Sequence, residues 1–123
     1  MQLTPTLSEP FFLSCTAIGF PAPDSITWFH NGTVVNSNSS DVNIITQSVD
    51  IYMTSSTLII TSAQAEDSGD YYCVAGSPRQ VYNDVMSENA SVFVLSKLSS
   101  VGQVKHTSRT LYPSLYTVTI QLV

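Results

Sequence analysis

Positive charge is scarce in this chain. Only four of its 123 residues are Lys or Arg, against nine Asp and Glu, which gives a net charge of −5. Residues 1–95 hold all nine acids and one base, Arg79, so this part carries 1 − 9 = −8, while residues 96–123 carry +3. An acidic surface repels a phosphate backbone, so we do not expect nucleic acid among the partners.

Apolar runs and catalytic residue types are also missing. The chain has no uninterrupted apolar stretch of membrane-spanning length, so we expect membrane attachment only through parts of the full-length protein outside this sequence. Neither histidine, His30 or His106, has an acid at a spacing that would orient it. No nucleophile elbow, zinc-binding histidine pair or phosphate-binding glycine loop occurs. The sequence therefore predicts neither an enzyme nor a cofactor.

Alternation of apolar and polar residues dominates what is present. It runs through residues 11–17, 25–30, 56–61, 70–75 and 88–95, with turn-forming sequences between these segments. Few charged side chains and many Ser, Thr, Val and Ile residues favour strands over helices. The pattern predicts an all-β chain in which two antiparallel sheets pack face to face.

The two cysteines, Cys15 and Cys73, fall on the inward face of their predicted strands, 58 residues apart. Redox or metal chemistry is one interpretation, but a metal site needs three or four ligands. A buried bridge between the sheets is the interpretation we favour, and such bridges persist outside the cytosol. The sequence thus indicates an extracellular protein, at the cell surface or secreted.

The stretch "AEDSGDYYC" (65–73) leads into the second cysteine. Tyr71 shares the inward face with Cys73, and we expect its hydroxyl to bond back to the backbone of the preceding corner. Asp67 and Gly69 shape that corner through a carboxylate that accepts N–H bonds and a residue that tolerates unusual dihedrals. Trp28, also inward, is placed to pack on the bridge.

Cys15, Trp28, Leu58 and "DSGDYYC" (67–73) together resemble the core signature of the immunoglobulin superfamily. The run "CTAIGFPAPDSITWFHNG" is similar to that of intermediate-set (I-set) domains of adhesion molecules and receptor ectodomains. The resemblance implies a Greek-key β-sandwich with one inter-sheet disulfide, Cys15–Cys73. It also implies that the core residues are Trp28, Leu58, Asp67 and Tyr71. Unlike variable domains, the chain has no glycine in its predicted last strand, residues 88–95.

The resemblance covers about residues 2–95, and we expect residues 1–95 to form the I-set domain. Residues 96–123 are expected to be a linker followed by an extra strand or the start of another domain. Within them, "LYTVTIQLV" (115–123) alternates cleanly. Three outcomes stay open for this segment: a following domain, an added edge strand, or exchange between two copies.

Three sites fit the N-glycosylation sequence N-x-[ST], at Asn31, Asn38 and Asn89. Asn31 has a second interpretation, because Asn-Gly is a preferred hairpin turn. Asn38 lies in a polar loop, and Asn89 should point outward if Ala90 points inward. We expect at least one of the three to be glycosylated.

Some large apolar residues fall on the outward side of their strands. If Trp28 and Tyr71 point inward, alternation directs Phe29, Tyr72, Val74 and Phe93 outward. These four lie on strands C, F and G in the family's lettering, and we refer to them as the C–F–G face. We expect the loop that follows the strand of Tyr72 and Val74 to bring Arg79 and Tyr82 to the edge of the C–F–G face. Exposed apolar patches with Tyr and Arg tend to mark protein contacts.

The sequence therefore predicts a recognition module that binds a protein ligand, or a second copy of itself, in cell adhesion or cell-surface reception. No metal or cofactor is implied. Two alternatives remain. One is the ligand-binding ectodomain of a receptor with a cytoplasmic kinase, and the other is a structural spacer in a multi-domain array.

Overall fold

The computed structural model describes residues 2–37, 40–77 and 83–96, and the backbone of residues 114–121. The described residues contain ten strands and one short 3₁₀ helix, Ala65–Asp67. In chain order the strands are β1 (Gln2–Leu3), β2 (Phe11–Ile18), β3 (Ser25–His30), β4 (Thr33–Val34), β5 (Val42–Asp50), β6 (Met53–Ile60), β7 (Gly69–Gly76), β8 (Val85–Met86), β9 (Ala90–Val92) and β10 (Ser114–Gln121). Within the described residues, no helix is long and apolar enough to cross a membrane.

The strands form two sheets. The first has the order β1-β9-β7-β3-β4, with β8 also paired to β7, and the second has the order β10-β2-β6-β5. Most neighbours are antiparallel, while β1 pairs with β9 and β10 pairs with β2 in parallel. This confirms the predicted all-β, immunoglobulin-like sandwich.

The core lies between the sheets because β2, β6 and β7 alternate buried and partly exposed residues along their length. Cys15 on β2 and Cys73 on β7 are joined by a disulfide bond, which confirms the predicted bridge. Trp28, Leu58 and Tyr71 are buried around it. Trp28 lies directly opposite Cys73 in the pairing of β3 with β7.

The last described strand, β10, adds an edge to the second sheet. It pairs with β2 over eight residues, from Ser114 opposite Phe11 to Gln121 opposite Ile18. In this structure the segment is thus paired as an edge strand, and the choice among the three outcomes that the sequence leaves open stays a prediction. The division of the chain at residues 95 and 96 stays a prediction.

Candidate protein-binding face

The centre of the C–F–G face is a pair of stacked aromatic rings. Phe29 on β3 and Tyr72 on β7 are direct neighbours across the two strands. Their ring centroids lie 5.0 Å apart with an angle of 9° between the planes. Offset stacking of this kind stabilises an aromatic pair beyond its burial. Both residues are half-buried, so part of each ring still faces solvent.

Apolar side chains extend the face on both sides of this pair. Val34 on β4 lies opposite Phe29 and is 48% exposed. Met86 on β8 lies opposite Val74 and is 62% exposed, and Phe93, just after β9, is 57% exposed. Val34 and Met86 were not predicted, because each belongs to a two-residue strand whose pairing the sequence does not reveal.

A bulge interrupts the pairing of β7 with β8 and β9 beside Tyr72. Met86 lies opposite Val74 and Ala90 lies opposite Tyr71, so residues 87–89 face only residues 72–73. Ser87 bonds to Cys73 through its N–H, which donates to the Cys73 carbonyl at 2.8 Å. Two exposed residues, Glu88 and Asn89, are therefore left opposite Tyr72, as in a β-bulge.

The corner before β7 fixes where Tyr72 points. The buried Tyr71 donates its hydroxyl hydrogen to the backbone carbonyl of Asp67 at 2.7 Å, and its ring stacks on His30 at 4.2 Å. Burial raises the pKa of the Tyr71 hydroxyl, so it stays a donor. Because Tyr71 is held inward, the next residue along the strand, Tyr72, must face outward.

Asp67 bonds within the same corner. Its Oδ2 accepts a hydrogen bond from the N–H of Gln64 at 2.8 Å. Burial raises the pKa of the Asp67 carboxyl, and the bond from Gln64 opposes that rise in part. The carboxylate is thus engaged by the backbone of its own corner. In the part of the chain that the structure describes, no group of three His, Cys, Asp or Glu side chains is placed to hold a metal ion.

The sequon residues have different surroundings. Asn31 and Gly32 both have positive φ, 51° and 83°, which is the geometry of the Asn-Gly hairpin turn that joins β3 to β4. The Asn31 Oδ1 accepts a hydrogen bond from the Asp70 N–H at 3.0 Å, so this side chain ties the turn to β7. Asn89 is exposed beside the C–F–G face. Asn38, Arg79 and Tyr82 lie outside the described residues.

A second apolar group lies at the end of the sandwich where β2 and β5 finish, and sequence reasoning missed it. Phe20 and Tyr52 are exposed, with ring centroids 5.4 Å apart, and Ile51 beside them is 70% exposed. A turn-rich sequence around each of them gives no alternation, so no periodic signal marks the group. It provides control positions on a surface distinct from the C–F–G face.

Comparison with known proteins decides the family. The family model described as "Immunoglobulin domain" matches residues 2–77. The chain belongs to the immunoglobulin domain family. Human hemicentin-1 is 38% identical over 69 residues, which is 56% of this chain and 1% of that protein. Mouse cartilage intermediate layer protein 1 is 31% identical over 65 residues, or 53% of this chain and 4% of that protein. The chain thus spans a few per cent of the length of the relatives it matches.

Solved structures show the same fold. The N-terminal eight immunoglobulin domains of Down syndrome cell adhesion molecule match with a TM-score of 0.65 and 28% identity, over 74% of this chain and 11% of that one. A complex of Dpr2 with DIP-Theta matches with a TM-score of 0.66 and 19% identity, over 76% of this chain and 30% of that one. The assignment to the I-set stays a prediction.

Family membership establishes the broad kind of function. The immunoglobulin domain is a non-enzymatic protein-interaction module, so the predicted absence of catalysis follows from the family itself. The kinship with hemicentin and with Down syndrome cell adhesion molecule, together with the Cys15–Cys73 bond, confirms an extracellular or cell-surface location.

Proposed function

We propose that this domain recognises another protein through the C–F–G face, and that a second copy of the same chain is one such partner. The observation that carries the proposal is the stacked Phe29–Tyr72 pair at 5.0 Å, which is half-buried and left partly open to solvent. Rigid aromatic side chains lose little conformational entropy on binding and are favoured anchors of protein interfaces.

The surroundings of the pair support the same use. Val34 lies opposite Phe29, Val74 follows Tyr72 by two residues and pairs with Met86, and Phe93 is exposed farther along the same sheet. Apolar residues scattered singly over a surface have no functional meaning, but these side chains lie on neighbouring strands of one sheet. Adhesion is the setting that the relatives favour, since one of the similar structures is a cell adhesion molecule.

The test is self-association, measured by light scattering over a concentration series on the disulfide-bonded chain produced without N-glycans. We expect a dimer that the double variant Val34→Asp with Met86→Asp weakens by about tenfold or more, equivalent to about 1.4 kcal/mol. Both side chains are largely exposed, so the substitutions should not disturb the core. The matched control is Ile51→Asp with Val49→Asp, which adds the same charges at exposed positions at the end of β5 and in the turn after it, on the side of the other sheet.

Two results would count against this proposal. Equal weakening by the test and control pairs would show that net charge, and not the C–F–G face, governs association. A monomer at every concentration would exclude self-recognition. Beads coated with the protein give a second readout of the same question, because weak contacts between many copies add up on a surface.

A further inference from the structure

Asn89 is exposed beside the C–F–G face. Alternation in residues 88–95 predicts that Asn89 and Phe93 share the outward side of one strand, but it does not show which residues of β7 lie next to Asn89. In the structure Asn89 belongs to the bulge before β9, and the aromatic pair is on β3 and β7. The register of the sheet makes Asn89 and Tyr72 neighbours.

Asn89 lies in the bulge, directly before β9. Ala90 is buried opposite Tyr71, so alternation within β9 turns Ser91 toward the outer face, and its hydroxyl donates to the Asp70 carboxylate at 2.9 Å. On the other side of Ala90, Asn89 is exposed. The register on either side of the bulge leaves Glu88 and Asn89 as the residues next to Tyr72.

The two sequons within the described residues differ in how their amides are engaged. The Asn31 side chain lies over Gly69, where even a methyl group would approach its Nδ2 to 2.6 Å. Its Oδ1 is bonded to the Asp70 N–H. Within the same described residues, no hydrogen bond holds the side chain of Asn89, which is exposed. Asn89 is therefore the position with room for a sugar on its amide nitrogen.

We propose that Asn89 carries an N-linked glycan that covers the Phe29–Tyr72 part of the C–F–G face and thereby blocks protein binding there. The proposal that the glycan blocks protein binding rests on the function proposed above, whereas the proposal that it covers the aromatic pair does not. A glycan is bulky and polar, and its first sugar would be attached to an exposed residue of the bulge next to Tyr72. Its apolar ring faces can pack on the aromatic pair, while its hydroxyl groups replace the apolar surface with a hydrated one.

The experiment uses the full chain secreted from animal cells. Peptide mapping by mass spectrometry measures occupancy of Asn89, and hydroxyl-radical labelling measures the accessibility of Tyr72. Asn89→Gln removes the sequon, and Ser91→Thr is the matched control because it keeps both the sequon and the hydroxyl that bonds to Asp70. Tyr52, 47% exposed near Phe20, is the internal reference for labelling.

We expect Asn89 to be occupied in the unaltered chain and in Ser91→Thr. Labelling of Tyr72 should rise several-fold in Asn89→Gln, while labelling of Tyr52 stays constant. Self-association should strengthen by about tenfold or more when the glycan is absent. An unoccupied Asn89, or equal labelling of Tyr72 with and without the glycan, would overturn the proposal.

Two further outcomes distinguish a failure of this inference from a failure of the proposed function. If the glycan protects Tyr72 but neither form associates, the covering of the aromatic pair is supported and recognition of a second copy is excluded. If both forms associate equally although Tyr72 is protected, the contact surface lies elsewhere and the proposal that the glycan blocks protein binding is overturned.

Discussion

The indole N–H of Trp28 donates a hydrogen bond to the hydroxyl of Ser56 at 3.0 Å, across the space between the two sheets. Ser56 is fully buried and also contacts the hydroxyl of Thr46 on β5 at 2.8 Å. A tryptophan in a dry core needs a partner for its single polar atom. The serine supplies that partner, so the second sheet satisfies a donor that the first sheet contributes.

Replacing Ser56 by Ala should lower the free energy of unfolding by about 1–3 kcal/mol, because the buried Trp28 N–H loses its acceptor. The chain has only one tryptophan, so its fluorescence during denaturation with urea reports the change directly. Ser55→Ala is the control, since Ser55 is the next residue on β6 and is only partly buried. Equal losses in the two variants would contradict the assigned role of Ser56.

Two adjacent tyrosines provide a second comparison. Tyr71→Phe removes the hydroxyl that donates to the Asp67 carbonyl at 2.7 Å, and should lower the free energy of unfolding by about 1 kcal/mol. Tyr72→Phe keeps the aromatic stack with Phe29 and should leave stability unchanged. Thermal and chemical denaturation of the disulfide-bonded proteins measure both. A larger effect at Tyr72 would show that the corner is not fixed by Tyr71.

Two glycines with positive φ can be told apart by what surrounds them. Gly32→Ala meets no atom within 4 Å, so its cost is the backbone strain at φ 83° alone, about 1 kcal/mol. Gly69→Ala has φ 138° and also brings its methyl group to 2.5 Å from the Asn31 Oδ1. It should therefore be the more destabilising of the two in urea titrations. The reverse order would mean that the Asn31 side chain can move away from the new methyl group without a loss of stability.

The stability of the domain should depend on pH through Asp67. Burial raises the pKa of this carboxyl above its ordinary value of 3.8, so the folded state binds the proton more tightly than the unfolded state. As the pH rises from 3.8 through the raised pKa, the contribution of Asp67 to stability must fall. Asp67→Asn removes this titration and can still accept the Gln64 N–H.

Stability of Asp67→Asn relative to the unaltered chain should consequently increase over that pH interval. The gain should stay below about 1 kcal/mol, because water reaches part of the carboxyl and screens it. Urea denaturation at several pH values measures the difference. A gain that appears on lowering the pH instead would show that the charged form of Asp67 is the one favoured by folding.

Several elements of this fold could be predicted because strand alternation is a local property. Cys15, Trp28, Tyr71 and Cys73 recur on the inward face of strands that the sequence marks clearly. The nine-residue strand β5 was missed, since Ile45, next to Ile44, lies on its exposed side and breaks the simple alternation. Pairing with β6 stabilises β5 in spite of the weak alternation in its sequence.

The C–F–G face could likewise be predicted from the sequence only in part. Alternation correctly directed Phe29, Tyr72 and Phe93 outward, but it could not show that the first two are stacked neighbours. Val34 and Met86 join the face only because β4 and β8 pair with β3 and β7. Neighbours in a sheet depend on register, which arises from the packing of the whole core.

By itself, the sequence determined the strand periodicity, the inward cysteines and the family, because these depend on residues close together in the chain or on a fixed spacing. Only the tertiary structure decided that Ser56 receives the Trp28 N–H, that Asn31 lies over Gly69, and that Asn89 lies in a bulge next to Tyr72. Each of these relationships joins residues 17 or more positions apart. A single shift in register would separate every such pair, and the register is fixed by burial of the two apolar faces against each other.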